Sequence, residues 1–207
     1  MTASAAFPLV AANEIMQIRA ALQWAQEEGV RIVLISSDDV ARVASDLARL
    51  HVPVILGPTW DMPLRRWEPY DTPFSVASTL HAAGVPFCIA SNGGASNVRN
   101  LPLEAASAAA YGLPRDVALR AITLAPAEIM GVADRLGSID AGKEATLIVT
   151  DGDLLDFRSH VVRAFIRGRE TSLETRQTRL WEKYRSRPRP GGASEGGSTA
   201  ATAQRKP

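Results

Sequence analysis

At 207 residues with 46% apolar composition, the chain is long enough for one ordinary core plus an appendage and too apolar to be disordered throughout. No apolar run approaches the roughly 20 residues that span a bilayer, and Met1–Ala6 lacks the charged and apolar regions of a signal peptide, so the expectation is a cytoplasmic protein without membrane contact. The net charge of +1 is uneven, with 14 basic and 18 acidic side chains in residues 1–168 against 9 and 4 in residues 169–207; without aromatics past Tyr184, this tail reads as solvated and not as a nucleic-acid-binding arm.

In chain order, Phe7–Ala11 reads as a strand and Glu14–Glu28 as a helix whose Ile15, Ile18, Leu22 and Ala25 share one face, with Gly29 ending it. The strand Arg31–Ile35, the helix Asp38–Leu50, the strand Val52–Leu56, an irregular stretch, the helix Phe74–Ala83 and the strand Pro86–Ala90 follow. Each strand is a near-continuous apolar run, as a parallel sheet covered on both faces demands, and the alternation with helices means βα units. The single cysteine, Cys88, lies in the run Val85–Ala90 and reads as a small buried core residue more than a nucleophile. Further on, Ala118–Gly131 reads as a helix interrupted by Pro126. Ser138–Asp151 and Val161–Arg169 read as strands, with a turn at Asp140-Ala141-Gly142-Lys143. Ser172–Arg187 predicts an amphipathic helix through Leu173, Leu180 and Trp181, and residues 188–207 have a disorder-prone Gly, Ser, Ala and Pro composition.

The helix Ala118–Gly131, with its Leu124-Ala125-Pro126-Ala127-Glu128-Ile129-Met130 core, followed by Leu136-Gly137-Ser138-Ile139-Asp140-Ala141-Gly142-Lys143 and Leu147-Ile148-Val149, closely resembles the C-terminal end of the amidohydrolase superfamily. Within it, the imidazolonepropionase-like branch is the nearest in pattern, and the string Asn97-Val98-Arg99-Asn100-Leu101-Pro102 recurs there. The resemblance implies an α/β fold: the C-terminal half of a (β/α)8 TIM-type barrel over residues 1–135, part of a small β-sandwich over 136–171, a terminal helix over 172–187 and a disordered tail over 188–207. Half a barrel leaves two strand edges and an apolar interior uncovered. A second polypeptide supplying the N-terminal half, two copies closing on each other, or a longer parent chain would each remedy this.

The resemblance also implies hydrolysis of non-peptide C–N bonds, of the cyclic amide type, with a divalent metal, zinc, held at the C-terminal ends of the strands. Matching positions here carry Ala11-Ala12-Asn13 after the first strand, Ser36-Ser37-Asp38 after the second and Asn92 in place of the family aspartate. None of these is a metal ligand of the family, and an amide is neutral at all relevant pH and cannot be a general base. No catalytic residue is therefore assigned and no metal is expected from this chain's own residues. Ala11, Asn13, Ser36, Thr59, Asn92, Asn97 and Arg99 are the expected lining of a small-molecule pocket. Asn97, Arg99 and Asn100 face either a polar ligand or simply their own loop, with Asn100 capping the helix that Pro102 and Glu104 begin. His51, His81 and His160 read as solvated or helix-terminal, and Asp38 and Asp39 as residues opening a helix. The stretch Thr59–Pro73 is expected over the pocket, with Trp60 and Trp67 as its contact residues. Two functions stay open: a hydrolase completed by another half-barrel, and a barrel retained for binding alone.

Overall fold

The computed structural model describes residues 7–91 and 97–185. Four short strands, β1 (Leu9–Ala11), β2 (Val33–Ser36), β3 (Val54–Leu56) and β4 (Phe87–Ile89), form one parallel sheet in sequential order. Between them run α1 (Ile15–Glu27), α2 (Ala44–Leu50) and α3 (Thr72–Ala82). After β4 come α4 (Leu101–Ala110), α5 (Arg115–Ala121) and α6 (Leu124–Ile129). Every strand here is shorter than its apolar run, and in β1–β3 it is the C-terminal part of the run that finds ladder partners on a neighbouring strand.

In-register rows show which side of this sheet is covered. Val10, Leu34, Val54 and Phe87 form one row, and Leu34, Val54 and Phe87 are buried against a core that includes Ile18, Leu22, Leu47 and Leu80 of α1–α3 and Ala105, Ala108 and Ala118 of α4 and α5. Burying a leucine such as Leu47 or Leu80 contributes about 2 kcal/mol. The next row, Ala11, Ile35, Ile55 and Cys88, points the other way by the two-residue alternation of a strand. It passes from exposed at Ala11, through half-buried at Ile35 and Ile55, to buried at Cys88. The sheet is thus least covered at its β1 edge, and among the described residues it does not close into a barrel.

Several elements differ from the sequence expectation, among them the strand expected over Val161–Arg169, which ends at Ile166 and turns at Arg167–Gly168. The helix expected over Asp38–Leu50 divides into a 3₁₀ turn, Asp39–Val43, and α2, because the Asp39 side chain bonds elsewhere instead of capping. The break expected at Pro126 falls at Ile122–Thr123; Pro126 sits in the first turn of α6, where a missing N–H costs nothing. Of Ser138–Asp151, only β5 (Leu147–Thr150) is a strand. The preceding residues turn through Gly137 and Gly142, both at positive φ.

β5 joins β6 (Val161–Ile166) and β7 (Arg169–Thr171) in a three-stranded antiparallel sheet. Arg167 and Gly168, at φ 51° and 76°, make the two-residue β6–β7 turn whose twist suits a hairpin. Arg163 and Glu170 pair across it at 2.8 and 2.9 Å. The described residues divide into two units, one ending at Thr171 and the other beginning at Ser172. In the second, α7 (Arg176–Tyr184) starts at Thr175, which exchanges hydrogen bonds with Thr178 in a capping box. The disorder expected for residues 188–207 concerns a segment outside the described residues. No described helix is long and apolar enough to cross a membrane.

Candidate active site

The segments leaving the C-terminal ends of β1–β4 meet through a short series of polar contacts. Asn13, just past β1, accepts at Oδ1 from the Ser37 backbone N–H at 3.1 Å and the Ser37 hydroxyl at 3.4 Å. The Ser36 carbonyl accepts from Gly57 N–H at 3.0 Å, and Thr59 donates its hydroxyl to the Glu104 carbonyl at 3.0 Å. Ser91, past β4, donates to the Asn97 carbonyl at 3.2 Å. A side chain at Gly57 would come within 3.1 Å of Ser37 Cβ, so the backbone there passes close beneath the Ser37 segment.

The expected lining residues fall into two groups. Ala11, Asn13, Asn97 and Arg99 are exposed. Ser36 and Thr59 are buried, and Ser36 Oγ has no hydrogen-bond partner. Asn92 lies outside the described residues. Asn100 stands at the N-cap of α4 without a side-chain capping bond. His51 is the left-handed C-cap of α2 and lines a hollow at the opposite, N-terminal end of the sheet with Phe7, Arg31, Pro53 and Phe87. His81 is in the last turn of α3, and His160 is exposed, with Nδ1 3.4 Å from Asp151.

Beyond β3, the stretch Thr59–Pro73 is pinned down. Arg65 grips Asp39 with two hydrogen bonds, and Glu68 accepts from Arg65 at 2.9 Å and Arg42 at 2.6 Å. Asp39 also accepts from the Ile15 N–H at 3.3 Å, so one carboxylate ties α1, the 3₁₀ turn and this loop. The Arg65 bonds hold the carboxyls of Asp39 and Glu68 below their ordinary range. Asp38 shifts up, chiefly by burial and then by the negative charges of Asp61, Asp39 and Glu68. Trp60 and Trp67 of the pinned loop are exposed at 45% and 79%, presenting aromatic surface from a fixed frame.

Two residues of this face escaped the sequence reading. Arg65 gave no signal, because its partner lies 26 positions away. Glu104 left a faint one: it falls beside Leu101, Ala105 and Ala108 on the inward stripe of α4, where a carboxylate has no ordinary place. It is 4% exposed, its Oε2 is unpartnered, and burial pushes its carboxyl up, partly offset by Ser91 and the Thr59 backbone.

A family model described as the amidohydrolase family matches residues 15–173. This chain belongs to the amidohydrolase family. It is 34% identical to amidohydrolase tasK of Hapsidospora irregularis over 128 residues, covering 56% of this chain and 13% of that protein. An amidohydrolase from Thermotoga maritima superposes with a TM-score of 0.73 at 29% identity, over 79% of this chain and 43% of that one. An adenosine deaminase from Xanthomonas campestris with bound zinc shares the fold, with a TM-score of 0.56 at 20% identity over 86% of this chain and 56% of its own. The chain therefore spans less than half the length of the first two of these relatives.

Metal dependence is general in this family, yet the described donors on this face do not suit a divalent ion. Among the described residues, no three His, Cys, Asp or Glu side chains converge as a metal would require. The described strand ends offer an amide at Asn13, hydroxyls at Ser36 and Ser37 and the carboxylate of Asp38, too few acidic or imidazole ligands to hold a divalent ion. Nor is a hydroxyl nucleophile prepared: Ser37 bonds an amide and Thr59 a carbonyl, neither of which is a base.

Proposed function

We propose that this chain forms the C-terminal half of a (β/α)8 amidohydrolase barrel of the imidazolonepropionase-like branch. It serves the hydrolysis of non-peptide C–N bonds, of the cyclic amide type, once four N-terminal βα units complete the ring. The observation that carries this reading is the exposure gradient along the row Ala11, Ile35, Ile55, Cys88, which opens at the β1 edge where a further parallel strand would pair. The 43% coverage of the Thermotoga maritima amidohydrolase supports it.

In this reading Ala11, Asn13, Asn97 and Arg99 line the pocket mouth, with Asn92 at the family aspartate's position, while the buried Ser36 and Thr59 support the floor. This half supplies neutral hydrogen-bonding groups that orient a ring amide, and Trp60 and Trp67 offer apolar cover. General-base and metal-holding groups come from the complementary half. That half is a partner chain or the preceding part of a longer chain; a second copy of this half would bring no new ligands.

The test is co-expression with the protein segment encoded immediately upstream, followed by elemental analysis and an assay with hydantoin as the cyclic amide probe. Stoichiometric zinc with hydantoin turnover is the expected result. A folded, metal-free and inactive complex would overturn the hydrolase reading and leave a barrel kept for binding.

A further inference from the structure

A hollow of about 220 Å³ opens at the N-terminal end of the parallel sheet, lined by Phe7, Arg31 and His51 from the residues leading into β1, β2 and β3, and by Arg120 of α5 and Glu128 of α6. Arg120 reaches both Glu128 carboxylate oxygens at 2.6 Å, so these two charges are closed on each other. Arg31 is exposed, and neither its guanidinium nor the His51 ring has a hydrogen-bond or ion-pair partner among the described residues.

The side of the sheet that carries Arg31 follows from strand alternation. Ile32 and Leu34 belong to the core packed against the helices, while Arg31 and Val33 do not, so Arg31 stands on the face that Ile35 continues, away from α1–α3. Completing a barrel turns that face inward, where side chains fill the interior. A guanidinium cannot escape burial by losing its proton, and a buried cation without an acceptor is strongly unfavourable. Glu128 is already held by Arg120, so the acceptor must arrive with the strands that close the ring. The hollow borders the open β1 edge, and its free space equals about seven waters at ~30 Å³ each, room for an entering side chain.

We propose that this hollow is a docking site for a carboxylate side chain of the complementary N-terminal half, with Arg31 as its charged anchor and the His51 ring as a further donor. This rests on the reading of the chain as half of a barrel. The planar fork of an arginine matches a carboxylate through two parallel hydrogen bonds, which fixes the register of the closing strands as well as holding them.

The experiment measures the dissociation constant between this chain and the protein segment encoded immediately upstream, by sedimentation of their co-expressed complex, for wild type, Arg31→Ala, Arg31→Lys and Arg19→Ala. Arg19 is an exposed arginine of α1 without a partner among the described residues, and controls for the loss of one positive charge. Arg31→Ala should weaken the complex by about tenfold or more. Arg19→Ala should stay within about twofold of wild type. The urea midpoint of this chain measured alone should not change in Arg31→Ala, which separates docking from folding. In Arg31→Lys, a carbodiimide should join the introduced amine to an Asp or Glu of the upstream segment, located by mass spectrometry. An Arg31→Ala complex as tight as wild type, whether the hollow then stays wet or takes a free anion, would overturn the proposal, as would a cross-link to no carboxylate of that segment. A wild-type chain that forms no complex would sink the half-barrel reading and this inference with it, whereas a tight complex indifferent to Arg31 would sink this inference alone.

Discussion

Arg65 holds Asp39 through two parallel hydrogen bonds, Nη1 to Oδ1 at 2.7 Å and Nη2 to Oδ2 at 2.8 Å, across 26 residues of sequence. The side chain of Asp39 is 3% exposed, so its charge relies on this fork and on the Ile15 N–H for the hydration it has lost. Asp39→Ala removes the shared acceptor of three segments, leaving Arg65 to Glu68 alone. The expected cost is about 3 kcal/mol in urea unfolding. Amides of residues 59–71 should also exchange faster in the variant; an unchanged exchange pattern there would show that Arg65 does not fix the loop.

Gly137 provides a second check on the turn that precedes β5. A Cβ at this position would lie 2.8 Å from Ala127 Cβ, 2.9 Å from Leu124 Cα and 3.0 Å from the Thr123 carbonyl, on a backbone at φ +94°. Gly142 has nearly the same φ, +92°, with nothing within 4 Å. Gly142→Ala therefore meets strain alone, about 1–2 kcal/mol, whereas Gly137→Ala adds overlap with α6 and should cost about 3 kcal/mol or more. Thermal melts of the two variants that coincide would refute the close packing at Gly137.

The βα order was legible because its signals are local: continuous apolar runs gave β1–β4, and Ile15, Ile18, Leu22 and Ala25 with Gly29 gave α1 and its end. The amidohydrolase family was legible from the Leu119–Gly168 motif. What failed to show depended on distant partners. Asp38-Asp39 before an apolar stretch looks like a helix start, but Asp39 turns to Arg65 and the first turn becomes 3₁₀. Ser138–Ala145 has strand-like residues, yet Glu144 is engaged by Arg135 and by Arg167 at 3.1 Å, and the chain turns instead of pairing. Ser36 and Thr59 follow strands as pocket residues do, and nothing local announces that both are buried.

Cys88 tests the covered end of the sheet. It is 4% exposed, and burial pushes its thiol up to about 11, so the thiolate that reacts with disulfide reagents is scarce at pH 8. Modification by a thiol-specific chromogenic disulfide should be slow in the native chain and become fast only in urea, following the unfolding curve. Rapid native labelling would mean that the β4 end of the row is as open as the β1 end.

Acid and alkaline stability should be set by opposite groups. The carboxyls of Asp39 and Glu68 are lowered by Arg65, so in the folded state they release protons more readily than in the unfolded chain. Their contribution is complete above the ordinary carboxylate values of 3.8 and 4.5 and is lost as pH falls through their lower folded values. Glu104 runs the other way. Burial raises its carboxyl, so the folded state binds that proton more tightly, and stability declines as pH rises from 4.5 towards the raised value. Glu104→Gln removes only this second slope: its urea midpoint should compare least well with wild type near pH 4 and gain on it towards pH 7, while Asp39→Asn should trail wild type by a constant margin over that range and close the gap only as pH falls below 3.8. Parallel pH profiles for wild type and Glu104→Gln would mean that Glu104 titrates alike in both states, and its burial would then have no electrostatic consequence.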